Sequence, residues 1–202
     1  MTARGKTLLI ATRNRKKKAE LKQLLRGAGA RIVTLDEIPA KIPPVVETGK
    51  TFRQNAVKKA VQVSRRADGC VIADDSGLMV NVLGGRPGVR SARFARDGAT
   101  DTENNAKLLR LLKNVPPAKR GAVFVAVIAI ARGGKLLGVA EGRCRGRIKD
   151  APRGRKGFGY DPLFVPQGSR RTFAEMKKAL KNRISHRARA LRRARKLIGR
   201  YL

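Results

Sequence analysis

Acidic side chains are scarce in this chain. Fourteen Asp and Glu stand against 48 Lys and Arg in 202 residues, a formal net charge of +34 at pH 7. Histidine occurs once, as His186, cysteine twice, as Cys70 and Cys144, and tryptophan not at all. Each shortage excludes something. One histidine and two distant cysteines cannot supply the nitrogen and sulfur ligands of a zinc site. Two cysteines without a C-x-x-C unit form no disulfide framework, which points to a reducing compartment. A bound metal is therefore oxygen-ligated, Mg²⁺ or Mn²⁺. The longest apolar run, Ala122–Ala131, has the length of a strand and not of a membrane span. Met1 to Gly5 leads into a strand with no signal-peptide h-region. The expectation is a soluble, cytoplasmic protein with no membrane partner. The excess positive charge implies non-specific attraction to nucleic acid and other polyanions, and it says nothing about fold.

Apolar residues make up 42% of the chain, enough for a real core in a single domain over residues 1–202. Periodicity predicts strands at Thr7–Ala11, Arg31–Leu35 and Cys70–Ala73, separated by helices at Lys16–Gly27 and Thr51–Ala67. The first helix would bury Ala19, Leu21, Leu24 and Leu25, the second Phe52, Ala56, Ala60 and Val63. A short element at Met79–Val82 follows, then a helix to Leu112 opened by the capping box Thr100–Glu103. Ala122–Ala131 and Lys135–Arg143 read as strands of a hairpin across Arg132-Gly133-Gly134. Another strand at Arg145–Lys149, a second capping box at Thr172–Glu175 and a basic helix from Ser185 complete the pattern. Early strand–helix alternation with a late antiparallel hairpin implies an α/β fold with a mixed sheet.

Two of the few carboxylates, Asp74 and Asp75, sit side by side after Val71-Ile72-Ala73, in what reads as an acidic turn at the lip of a sheet. Adjacent like charges repel, and each is costly to desolvate unless a cation joins them. Glu47, before a glycine turn, reads either as an exposed loop residue or as a partner acid for the same cation, and Lys59 in the following helix either as a surface lysine or as a residue that reaches a phosphate. Thr12, Arg13, Asn14 and Lys17 occupy a strand-to-helix turn. They read either as a phosphate cradle or as an N-cap on a solvated basic helix. Phe158, Gly159, Tyr160 and Asp161 form an aromatic, glycine-rich loop. That loop suits stacking on a planar ring, or plugs the core with its aromatics. Lys181 precedes Ser185, which reads as the N-cap of the final helix and sets His186 and Arg187 in its first turn; this segment reads either as a solvated basic helix or as two donors that meet an exocyclic oxygen or a phosphate.

In this order the motifs are specific. T-x-N-x-x-K, E-T-G-x-T-F, A-D-D-S-G-L, P-G-V-x-S-A-R-F, G-F-G-Y-D-P and K-x-x-I-S-H-R together resemble the inosine triphosphatase family, the purine nucleoside triphosphate pyrophosphatases of the Ham1 or RdgB type. The resemblance runs from about Thr7 to Leu197. It implies a Maf/Ham1-like α/β fold: an elongated mixed sheet flanked by helices, two lobes around a cleft, and a homodimer. It implies Mg²⁺-dependent hydrolysis of ITP, dITP and XTP to the monophosphate and pyrophosphate. It further implies Glu47 and Asp75 at the metal, Asp75 as general base, and Thr12, Asn14, Lys17, Lys59 and Ser76 at the triphosphate, with Arg13 in the same loop. Phe158 to Asp161, Lys181, His186 and Arg187 would line the base pocket.

Arg13 departs from the family, which usually has glycine there. If that position needs a positive φ or a close backbone approach to phosphate, Arg13 is costly, and Arg13→Gly would improve catalysis or triphosphate affinity. The rival readings are a basic nucleic-acid-binding protein using its C-terminal helix, or a catalytically weakened member of the same fold. A serine hydrolase built on Ser76, His186 and Asp74 lacks G-x-S-x-G.

Overall fold

The computed structural model describes residues 6–202; Met1 to Gly5, the predicted lead-in, lie outside the described residues. Strands β1 (Thr7–Ile10), β2 (Arg31–Thr34), β3 (Cys70–Val80), β4 (Gly121–Arg132), β5 (Lys135–Ile148) and β6 (Phe164–Pro166) form one sheet in the order β2-β1-β3-β4-β5-β6. Among the described residues five α-helices accompany it: α1 (Arg15–Leu24), α2 (Phe52–Ser64), α3 (Asp101–Leu111), α4 (Lys178–Ile184) and α5 (His186–Tyr201). The sheet is mixed, as expected: β1 pairs parallel with β2 and β3, whereas β5 and β6 run antiparallel. No helix among the described residues is long and apolar enough to cross a membrane.

Chain contacts define two compact units, and β3, β4 and β5 each contribute residues to both. The first contains residues 6–75, 126–142 and 187–202. Its core joins Leu8 and Ile10 of β1, Ile72 of β3, Ile128 and Ile130 of β4, and Leu191, Ala194 and Ile198 of α5. The α5 stripe recurs at helical spacing, so the helix buries one face and leaves Arg189, Arg192, Arg193, Arg195 and Arg200 outside, whereas Arg187 in its first turn is buried. The second contains residues 76–125 and 143–186. Phe124, Phe164 and Phe173 meet at its centre, with Phe124 edge-on to Phe164 at 4.7 Å. Such aromatic clusters add to simple area burial.

Two expected boundaries change. Asp74 and Asp75 do not sit in a turn: β3 runs unbroken through them to Val80. Lys17 and Arg187 from neighbouring elements pair with Asp74, so the charge pair does not force the strand to end there. Lys135–Arg143 and Arg145–Lys149 are a single strand, because Cys144 points inward and is buried, preserving the alternation. Gly133 and Gly134, both at positive φ, close the β4–β5 hairpin with two residues. In α1, Ala19 is exposed and Glu20 is buried, the reverse of the hydrophobic expectation. In α2, Phe52, Ala56, Ala60 and Val63 are all buried, as the spacing requires.

Candidate active site

The first-unit residues build outward from α1. Asn14 is its N-cap, and its Oδ1 accepts from the amides of Lys16 and Lys17, each at 3.0 Å. The Asn14 amide in turn donates to Thr12 Oγ1 at 3.3 Å. These donors are satisfied within the turn, so what this loop offers an anion is chiefly its side chains. Arg13 donates to the Ile42 carbonyl, and no residue other than glycine has a positive φ among the described residues. The expected strain at Arg13 is absent.

Lys17 reaches from α1 to Asp74 Oδ2 at 2.9 Å. On the other side, Arg187 Nε stands 3.4 Å from Asp74 Oδ1, and Arg187 also pairs with Glu20. Arg187, Glu20 and Asp74 are all buried. A guanidinium between two carboxylates is an economical way to keep charge inside a protein, because each partner satisfies the others' hydrogen-bonding groups. The structure thus places Arg187 on these acids. Glu20 was not anticipated; its one signal is that it is an acid in a basic helix of an acid-poor chain.

Lys59 of α2 donates to Glu47 Oε1 at 2.5 Å and to the Asp74 carbonyl at 2.9 Å. The Glu47 loop is pinned to α2: the Gly49 amide donates to buried Asn55 at 2.7 Å, and Lys58 donates to Thr48. A Cβ at Gly49 would stand 2.6 Å from Asn55 Oδ1, so the motif needs glycine for close approach. Thr51 caps the helix in a box with Gln54.

The two adjacent aspartates are driven in opposite directions. Burial pushes Asp74 up, but Lys17, Arg187 and Lys59 more than offset it and hold it well below the usual carboxylate range. Burial also pushes Asp75 up; Lys17 and Lys59 oppose this, Glu47 and Asp74 reinforce it, and the result is about 6. One acid is firmly ionised and its neighbour is poised to exchange a proton. Such separation of paired carboxyls is how acid and base roles are divided within one site.

The second-unit residues centre on Ser91 and the aromatic loop. Ser91 Oγ accepts from the Leu78 amide at 2.9 Å and donates to the Gly88 carbonyl at 2.6 Å. The Ser91 carbonyl receives the Tyr160 hydroxyl at 2.9 Å. Tyr160 is therefore a core residue with its polar end satisfied, and burial pushes its phenol up. Asn105 donates to the Gly159 carbonyl at 3.0 Å. Asp161 accepts from the Phe158 amide at 2.9 Å and from Lys181 Nζ at 2.5 Å. Lys181 also lies 5.0 Å from the centre of the Phe158 ring. His186 stacks on Phe124, with ring centres 4.6 Å apart and planes 8° from parallel. Phe158, Asp161 and Lys181 thus form one cluster, while Tyr160 and His186 pack into the core beside it. Ser91 and Asn105, the loop's supports, were not singled out from sequence.

Glu47 and Asp75 supply hard oxygen donors close enough to perturb one another. Among the described residues, no group of three or more His, Cys, Asp and Glu forms a ready cation cage. Two carboxylates with the remaining positions left to phosphate and water fit Mg²⁺, which keeps much of its own hydration.

Comparison with known proteins bears on this geometry. A sequence model described as the Ham1 family matches residues 8–197. The chain is 45% identical to a dITP/XTP pyrophosphatase of Anaeromyxobacter sp. (strain Fw109-5), covering 96% of both chains. It is 48% identical to a dITP/XTP pyrophosphatase of Geobacillus kaustophilus, covering 92% of this chain and 91% of the relative. Among solved structures, a HAM1 protein from Coxiella burnetii superposes with a TM-score of 0.86 at 36% identity. That match covers 96% of this chain and 99% of the other.

Proposed function

Because the chain belongs to the Ham1 family, we propose that it is a pyrophosphatase acting on purine nucleoside triphosphates with non-standard bases: dITP, XTP and ITP. Water attacks the α-phosphorus, the bond to the bridging oxygen of the β-phosphate breaks, and the monophosphate and pyrophosphate leave. The observation that carries this reading is the Asp74–Asp75 pair, one acid ionised and one raised to about 6, beside Lys17, Lys59 and Glu47.

Asp75 accepts the proton of the attacking water, a task suited to a carboxyl whose affinity for protons is raised towards neutrality. Lys17 and Lys59 balance the negative charge of the triphosphate, with Thr12, Asn14 and Ser76 as polar contacts. Asp74 stays ionised and keeps Lys17 in place, while its main-chain carbonyl and Glu47 hold Lys59. Glu47 and Asp75 would hold a divalent cation, which when bound supplies charge neutralisation at the phosphates. Phe158 stacks on the purine, and Lys181, oriented by Asp161, donates to its 6-keto oxygen. Adenine presents an amino group there, which sets a donor against the ammonium's N–H instead of an acceptor, a large penalty in a desolvated pocket. The resemblance extends to a cytoplasmic homodimer, which light scattering would test.

The test is pyrophosphate release from dITP, XTP, dATP and dGTP with Mg²⁺, for the wild type and Asp75→Asn. Turnover of dITP and XTP well above dATP, lost in the variant, is expected. Equal turnover of all four, or full activity of Asp75→Asn, would overturn the assignment.

A further inference from the structure

The outer face of β5 carries a row of arginines that the proposed reaction does not use. Exposure alternates residue by residue along its second half: Cys144 and Ile148 are buried in the second unit's core, and Arg143, Arg145 and Arg147 are exposed. Side chains on a strand alternate between faces, so these three project from one face about 6.7 Å apart along the chain. Arg145 and Arg147 enter no ion pair among the described residues. Beside them lies β6, an edge strand of three residues. Gly146 pairs with Pro166, and a Cβ on Gly146 would stand 2.3 Å from the Val165 carbonyl. Beside it lies a groove of about 280 Å³ walled by Arg145, Arg147, Pro166, Gln167 and Ser169. Exposed Arg170 and Arg171 follow directly in the chain.

A straight row of like charges repels itself until a polyanion neutralises it. An extended single strand of nucleic acid can lay successive phosphates along such a row. A duplex winds its phosphates away from a straight line after a few positions. Every Phe and Tyr among the described residues is buried or half-buried, so the face offers no stacking platform for bases. We propose that the outer face of β5, with the β6 edge, binds the backbone of single-stranded nucleic acid through its phosphates and without sequence preference. Release of counterions drives this binding, and salt weakens it steeply.

The experiment must separate this face from the charge of the whole molecule. Fluorescence anisotropy with a labelled oligouridylate and an oligothymidylate, across a salt series, compares three proteins. They are the wild type, Arg145→Thr/Arg147→Thr, and the equal-charge control Arg110→Gln/Lys113→Gln, altered at exposed positions elsewhere. The β5 variant should lose about tenfold in affinity, and its log–log salt slope should fall by about 1.4, two contacts at about 0.7 each. The control should change by less than about threefold. Equal losses in both variants would overturn the proposal. So would tighter binding of a duplex of the same sequence, or a loss confined to anionic phosphatidylserine vesicles. Should the β5 variant misfold, hydrogen exchange on the wild type decides: the oligonucleotide should protect residues 143–149 and 164–171. Protection elsewhere only would refute the site.

Discussion

Arg187 Nε lies 3.4 Å from Asp74 Oδ1, across 113 positions of sequence, and both side chains are buried. Asp74 adjoins the residue assigned as general base, and the same guanidinium holds Glu20 of α1. Arg187 therefore ties the C-terminal helix and α1 to the strand that presents the acids.

Removing that guanidinium should be severe, because two buried carboxylates would remain without it. Arg187→Met is expected to cost about 3–5 kcal/mol at neutral pH, measured by urea unfolding. Arg187→Lys should recover only part of this, since a single ammonium cannot present the planar fork that spans two carboxylates. A loss below about 1 kcal/mol for Arg187→Met would show that the ion network is not what holds these elements together.

Gly77 sits against Ser91: a Cβ there would stand 2.3 Å from Ser91 Oγ and 2.7 Å from the Gly88 carbonyl. Gly77→Ala should therefore cost about 2–4 kcal/mol through forced separation of the backbone and loss of the Ser91 bridge. The double variant Gly77→Ala/Ser91→Gly removes the nearest obstacle and should recover a measurable part. An unchanged melting temperature in Gly77→Ala would mean that the loop yields freely.

Much of this was legible in the sequence, and the exceptions have physical reasons. The α2 face of Phe52, Ala56, Ala60 and Val63 and the hairpin at Gly133-Gly134 follow from short-range periodicity and turn chemistry. Asp74-Asp75 announced itself as costly charge, but its neutralisation by Lys17, Lys59 and Arg187 depends on contacts far apart in sequence. Without those partners in view, a break in the strand was the natural reading. Glu20 faces inward for the same reason: its partner is on the last helix. Tyr160 and Phe158 are two residues apart in one glycine-rich loop, and composition alone does not separate a ring that plugs the core from one that stays accessible.

That distinction between the two aromatics is testable. Tyr160→Phe loses the bond to the Ser91 carbonyl and should cost about 1 kcal/mol of stability, while leaving KM for dITP within about twofold. Phe158→Ala should raise KM for dITP by about tenfold, the value of one stacking contact, with little effect on stability. A large KM increase in Tyr160→Phe would place its hydroxyl in the substrate site.

The backbone strain expected at Arg13 is not found, which leaves its approach to phosphate as the one cost that glycine could relieve. With no positive φ to relieve and a side-chain bond to the Ile42 carbonyl to lose, Arg13→Gly should not improve kcat/KM. It should lower stability by about 1 kcal/mol through lost anchoring and a freer unfolded chain. A clear gain in kcat/KM would mean that the arginine obstructs the phosphates after all.

Asp75 makes a prediction with a definite sign in the metal-free protein. Its carboxyl titrates at about 6 when folded and at 3.8 as a free side chain. Between those values the folded state holds the extra proton, so stability falls as pH rises through this window, and the loss is complete above it. The full difference corresponds to about 3 kcal/mol. Asp74 behaves oppositely: its contribution is present above the free carboxylate value and disappears only in stronger acid. The two residues therefore act in separate pH ranges. Urea unfolding in EDTA, at about pH 4.5 and pH 7, should show the wild type losing stability across this interval relative to Asp75→Asn. The variant should also be the more stable protein at pH 7. Parallel pH profiles for the two proteins would mean that Asp75 is ionised throughout, and its suitability as a base would have to be argued from position alone.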